Sequence, residues 1–266
     1  MSSLQKQYQH NLTLRYSVAC AIARDAGKLA YIHFRSLENL TVISKGLTDL
    51  TSNADDEVED YINFRLTNAF LDDTVLGEER GGVTSDNLWV VDPIDGTVNF
   101  LHGIPYFCVS IAYLFKSEIE IGIVYDPVAD ELFTAQRGSG AFCNGKLIRV
   151  SDCNNISKAI VGFDFNHRGN IKRSISIIDR LADIQCDNRR LGAGALMMSH
   201  VADGRFDGYW NLHLNSWDAL AALLLVHEAG GWTNDFLADN GLKNGSDTLV
   251  CNPYIKDTLI EATGIY

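Results

Sequence analysis

Apolar residues Leu14, Val18, Ala21, Ile22, Leu29 and Ile32 recur close to the period of a helix, which predicts an amphipathic helix over roughly residues 13–35. A short strand is expected at Leu40–Ser44. A second apolar stripe, Val58, Tyr61, Ile62, Leu66 and Phe70, follows Asn53, a good capping residue, and its helix should end before Asp72. From Thr74 the texture changes to β-rich runs with polar breaks: Thr74–Gly77, Leu88–Asp92, Phe107–Phe115, Glu118–Asp126 and Asp130–Gln136. Lys116-Ser117 and Asn144-Gly145 have the composition of tight hairpin turns, so these strands should form an antiparallel sheet.

Beyond residue 150 strand and helix patterns alternate, through Ala159–Phe163, Asn170–Ala182, Gly194–Ala202, Phe206–Trp210, Trp217–Ala229 and Thr248–Cys251. This half reads as α/β, and the whole chain as α+β or mixed α/β. No repeat or Pro/Gly-rich linker interrupts the sequence, so an N-terminal lobe (1–150) and a C-terminal lobe (151–266) should meet at a seam within one body. Met197 and Met198 are expected to fill packing gaps, and Leu220, Leu223, Leu224 and Val226 to face the core.

Charge changes the picture. The 266 residues carry a formal charge of −12, which opposes direct attraction to nucleic acid or to an anionic membrane. An anionic ligand would then need a cation or a set of backbone amides to offset repulsion. The six cysteines, Cys20, Cys108, Cys143, Cys153, Cys186 and Cys251, form no metal-binding spacing and read as small apolar residues in a reducing, cytoplasmic setting. Met1 to Asn11 lacks an apolar secretion core, and no run is long enough to be a membrane span.

The acidic residues are concentrated at the ends of apolar elements. Leu88-Trp89-Val90-Val91 leads directly into Asp92-Pro93-Ile94-Asp95-Gly96-Thr97, so a buried strand delivers two carboxylates to its end. Pro93 fixes a backbone angle, Gly96 permits close approach, and Thr97–Leu101 has room for a short helix whose amides face an anion. Asp-Pro and Asp-Gly are also ordinary turn formers. A second acidic cluster, Gly77-Glu78-Glu79, ends another short strand, and Asp218 opens an apolar helix, where capping is its ordinary role. If these elements converge, Glu78, Asp92, Asp95 and Asp218 supply oxygen ligands suited to magnesium. Four carboxylates carry about −4 and a phosphate monoester about −2, which two or three divalent cations at about +4 to +6 would balance.

Gly77-Glu78-Glu79, the block from Trp89 to Phe100, and Trp217-Asp218 with Glu228-Ala229-Gly230-Gly231 resemble, in order, the signatures of the inositol monophosphatase family. Val124-Tyr125-Asp126-Pro127, the run from Gly138 to Gly145, and Lys45, Asp49-Leu50 and Asp55 extend the resemblance over nearly the whole chain. The resemblance implies a layered αβαβα sandwich, a homodimer, magnesium dependence with two or three ions, and lithium inhibition. It assigns metal binding to Glu78, Asp92, Asp95, Asp218 and the carbonyl of Ile94, and phosphate-facing amides to Gly96 and Thr97. Glu78 and Thr97 would orient a metal-activated water for in-line attack, with Asp55 near a further, weaker ion. Glu79 and Asp56 are read as supporting or solvent-facing neighbours.

The same resemblance gives the alcohol contacts to the segment around Arg189, Arg190 and Gly194 and to Asn211, which stands where many inositol phosphatases have a glutamate. The neutral side chain leaves room for other alcohols, including histidinol phosphate, and a nucleotide or sugar bisphosphatase is a further relative. Paired arginines on an acidic protein are also common surface ion-pair partners. His102, His213 and His227 are left outside the chemistry, because a metal-activated water needs no imidazole. A role as an interaction partner of the transcription machinery, as in some bacterial relatives, is the non-enzymatic alternative.

Overall fold

The computed structural model describes residues 3–44, 50–165 and 170–266, so Lys45 and Asp49 lie outside the described residues. Helix α1 (Ser3–Phe34) begins well before the first apolar repeat, and α2 spans Asn53–Ala69. The cap of α2 is Ser52, whose Oγ accepts from Ala54 N at 3.2 Å, while the Asn53 side chain accepts from Thr41 N at 2.7 Å. A two-stranded ribbon, β1 (Val42–Ser44) and β2 (Leu50–Ser52), precedes α2.

The large sheet contains β3 (Thr74–Gly77), β4 (Gly81–Gly82), β5 (Asn87–Asp95), β6 (Cys108–Phe115), β7 (Glu118–Asp126), β8 (Glu131–Gln136), β9 (Ala141–Cys143) and β10 (Lys146–Leu147). Its order is β10-β9-β8-β7-β6-β5-β3-β4. The short connections make it antiparallel except at β3 and β5, which run parallel. Lys116-Ser117 and Asn144-Gly145 both take positive φ at their turns, the backbone that lets two-residue hairpins follow the twist of their strands. Helix α3 (Thr97–Leu101) follows β5 directly.

The smaller sheet contains β11 (Ile160–Asp164), β12 (Asp187–Arg189), β13 (Gly208–Leu214), β14 (Trp232–Thr233) and β15 (Ser246–Cys251), in the order β12-β11-β13-β15-β14. Strand β11 runs parallel to both of its neighbours. The helices of this half are α4 (Ile171–Asp183), α5 (Gly194–Ala202), α6 (Ser216–Glu228), α7 (Gly241–Asn244) and α8 (Lys256–Thr263). Strand β12 has no apolar alternation and α8 only a weak stripe, which is why the sequence pattern predicts neither.

Both faces of the large sheet are buried. Leu88 and Val90 of β5 join the core that includes Met197, Met198, Leu220 and Leu224 of α5 and α6, while Trp89 and Val91 join the core of α1 and α2. Period-two alternation therefore sorts residues between two apolar layers, and the strand reads as continuously hydrophobic. Tyr209 and Val250 bring the inner face of the small sheet onto α5 and α6, and its outer face packs Trp210, Leu249 and Cys251 against Ile177 of α4 and Leu259 of α8. The result is helices, sheet, helices, sheet, helices: the αβαβα sandwich. No helix among the described residues is long and apolar enough to cross a membrane.

Candidate metal centre and substrate cavity

Strand β5 brings Asp92 and Asp95 to the same side through a bulge. Asp92 pairs with Ser110 and Asp95 with Cys108, so β5 takes three steps where β6 takes two. In an unbroken strand residues 92 and 95 would point to opposite faces; the extra residue at Pro93-Ile94 returns Asp95 to the side of α5 and α6. Asp92 stabilises the bulge by accepting from Ile94 N at 2.9 Å. Asp95 accepts from Gly194 N at 3.2 Å and Ala195 N at 2.7 Å, so its carboxylate meets the N-terminus of α5. Cys108 Sγ approaches the same carboxylate at 3.6 Å.

Glu78 follows β3, and its placement depends on a residue with no obvious motif. Glu59, buried on α2, accepts from Glu79 N and Arg80 N, each at 2.8 Å, and thereby fixes the turn after β3. Gly77 is required beside it, because a Cβ there would lie 2.1 Å from Glu59 Oε1. The third element, α6, is anchored by Ser110 Oγ, which donates to Trp217 O at 3.0 Å. Asp218 then sits in the first turn of α6, where its carboxylate also accepts from Asn215 N at 3.0 Å.

These three segments converge: one carboxylate oxygen from each of Glu78, Asp92 and Asp218 lies within 4.8 Å of the others. Burial and mutual repulsion push the carboxyl groups of Glu78 and Asp92 well above the usual carboxylate range. Burial, reinforced by Asp218, pushes Asp95 up to about 7. A convergent set of hard oxygen donors whose charges oppose one another fits a cation such as magnesium.

Beside these carboxylates lies a cavity of about 500 Å³ lined by Asp95, Asp218, Gly194, Asn211, Asp164 and Arg190, among others. Gly96 takes φ 96°, a left-handed backbone at the start of α3, and the Thr97 hydroxyl donates to Ile94 O at 3.0 Å. Thr97 Oγ1 also lies 3.4 Å from Asp55 Oδ1. Asp55 is buried, and its other oxygen accepts from Ser52 N at 2.9 Å and Ser52 Oγ at 2.7 Å; burial pushes its carboxyl up to about 6. Asp55 thus holds the start of α2 while touching Thr97.

The pattern of the inositol monophosphatase family matches residues 11–264. The chain belongs to the inositol monophosphatase family. It is 40% identical over 232 residues to the Nus factor SuhB of Pseudomonas aeruginosa, covering 83% of this chain and 84% of that protein. It is 40% identical over 247 residues to an inositol-1-monophosphatase of Rhizobium meliloti, covering 89% and 91%. The crystal structure of the extragenic suppressor protein suhB from Bartonella henselae superposes with a TM-score of 0.88 at 35% identity, covering 93% of this chain and 97% of that one.

Against this family frame the expected residues separate into two groups. Glu78, Asp92, Asp95, Asp218, Ile94, Gly96, Thr97 and Asp55 come from segments that meet around the carboxylates. Gly194 and Asn211 line the cavity, but Asn211 is nearly enclosed. Arg189 does not join them: its register with Gly162 and Tyr209 puts it on the cavity's face of the sheet, but it lies on the edge strand β12, exposed and ion-paired with Asp187, while its neighbour Arg190 lines the cavity. Glu59 and Ser110 were absent from the sequence expectation. Glu59 had a signal, since it lies one helical turn after Asp55 within the apolar face of α2, where an acidic residue needs a partner.

Proposed function

We propose that this protein is a magnesium-dependent phosphatase of small phosphate monoesters, with inositol monophosphate as the leading substrate. The observation that carries the reading is the convergence of Glu78, Asp92 and Asp218, from three separate segments, within 4.8 Å. Two or three magnesium ions, held by these carboxylates with Asp95 and the Ile94 carbonyl, would offset the phosphate charge and acidify the attacking water. Thr97 Oγ1 spends its proton within the protein, leaving lone pairs to accept from that water, and Glu78 completes its orientation. Gly96 and Thr97 amides face the phosphate, and Asp55 serves a further, weaker ion. The water oxygen bonds to phosphorus as the bond to the alcohol oxygen breaks, and the alcohol leaves with a proton.

In this reading residues 1–150 form the lobe that carries most ligands, residues 151–266 complete the cavity, and the enzyme works as a homodimer inhibited by lithium. Phosphate release from inositol phosphate, histidinol phosphate and a nucleotide bisphosphate, with magnesium and after chelation, tests it. Magnesium-dependent release with inositol phosphate preferred is expected; absence of release from every substrate rejects the enzymatic reading.

The name Nus factor carried by the P. aeruginosa relative supports a second reading, in which the chain also binds the transcription machinery through protein contacts. The net charge of −12 argues against direct contact with nucleic acid. A pull-down that retains RNA polymerase components with Asp92→Asn protein in chelator supports that role, and an empty one removes it.

A further inference from the structure

The phosphatase reading above leaves open how the alcohol is recognised, and this inference rests on that reading. The cavity wall away from the carboxylates is formed where β11 and β13 run parallel, and their register sets Asp164 beside Asn211. Neighbours in register project from the same face of a sheet, and both residues line the cavity. Their circumstances differ. Asn211 is 3% exposed, its amide nitrogen donates to Tyr209 OH at 3.3 Å, and its oxygen accepts from His213 N at 3.1 Å. Its hydrogen-bonding capacity is largely committed within the protein.

Asp164 is committed only to the cavity wall. Its Oδ1 accepts from Arg190 Nε at 2.9 Å and from Phe165 N at 3.1 Å, and the Gly192 backbone amide also stabilises the carboxylate, all three partners belonging to that wall. The Arg190 guanidinium lies 4.5 Å from the centre of the Phe165 ring, and its side chain remains 51% exposed. Stacking and ion pairing hold the fork at the cavity while leaving other N–H groups available. One wall therefore presents an acceptor and a donor fork with no net charge.

We propose that Asp164 and Arg190 are the specificity-determining pair of this enzyme, reading the alcohol portion of the substrate as a neutral polyol. A hydroxyl both donates and accepts, so adjacent hydroxyls match the pair, one donating to Asp164 and the next accepting from Arg190. An ammonium group donates only and meets the charge of Arg190. A second phosphate accepts only and meets the charge of Asp164. The pair thus favours polyols and denies an ammonium or a second phosphate the net attraction that a lone opposite charge would give.

The test compares kcat/KM of the full chain with magnesium on inositol 1-phosphate, histidinol phosphate and p-nitrophenyl phosphate, which has the ester but no hydroxyl. Loss of folded protein cancels in the ratios. Asp164→Asn should lower the inositol-to-nitrophenyl ratio about tenfold or more, through KM, as loss of a charged acceptor predicts. Arg190→Gln, leaving the carboxylate alone, should shift preference towards histidinol phosphate by about tenfold. Ratios within about twofold of wild type in both variants, or a wild-type preference for histidinol phosphate, overturn the assignment. A wild-type protein that turns over inositol 1-phosphate and p-nitrophenyl phosphate keeps the phosphatase reading whatever the variants do; one that hydrolyses none of the three overturns both.

Discussion

The carboxylate cluster and the β11–β13 wall of the cavity beside it handle charge in opposite ways. At one end Glu78, Asp92 and Asp218 bring like charges together, and burial with repulsion raises the carboxyl groups of Glu78 and Asp92. At the other, Asp164 meets Arg190 at 2.9 Å and the charges cancel within the protein. The first gathers like charges that a bound cation would offset. The second is charge-balanced by itself, so under the proposal it contributes selection rather than the driving force for binding phosphate. In the proposed reading the machinery of cleavage and the choice of alcohol are thereby kept apart.

The largest expected effect breaks the carboxylate end. Asp92→Asn can retain the bond to Ile94 N but removes a formal charge from the cluster, and turnover should fall by more than about 100-fold for every phosphate ester alike. Far-ultraviolet circular dichroism should show the fold intact; near-normal turnover would overturn the metal assignment. Next comes Glu59→Gln, which replaces one of the two acceptors that fix the turn just after Glu78 with an amide donor. Turnover should drop roughly 10- to 100-fold, with the magnesium concentration for half-activation rising. An unchanged magnesium requirement would reduce Glu59 to a purely structural role.

Stability without metal sharpens the contrast, because the two ends should respond with opposite signs. Glu78→Gln removes repulsion and should raise the stability of the chelated protein by about 1 kcal/mol, measured as a urea midpoint. Asp164→Asn leaves a half-exposed arginine without its ion partner and should lower it by roughly 0.5 kcal/mol. Changes of the same sign at both ends would deny the difference between them. Adding magnesium at about 100 times its Kd should stabilise the wild-type protein by about 2.7 kcal/mol and the Glu78→Gln protein by less.

The carboxylate end was legible in the sequence because its residues sit where elements begin or finish: Glu78 after β3, Asp92 and Asp95 at the end of β5, Asp218 in the first turn of α6. Acidic residues punctuating apolar runs are visible without coordinates, and so were the main elements, whose periodicity is a local property. The alcohol end was read less well. Arg189 and Arg190 are adjacent in sequence, and only the tertiary structure decides that Arg190, just past the end of the edge strand β12, lines the cavity while Arg189 on that strand pairs with Asp187. Asp164 belongs to no motif and acquires meaning from its register with Asn211 on β13.

By itself the sequence determined the helix and strand periods, the carboxylate-rich element ends, and the resemblance that gave the family. Tertiary structure alone decided the bulge that turns Asp95 to the side of Asp92, the parallel pairing of β3 with β5, and the grip of Glu59 on the turn just after Glu78. The physical reason is range. Periodicity and capping act over a few neighbouring residues and leave a pattern in the chain, whereas register, bulge and cross-element hydrogen bonds join residues far apart in sequence and are fixed only when the layers pack.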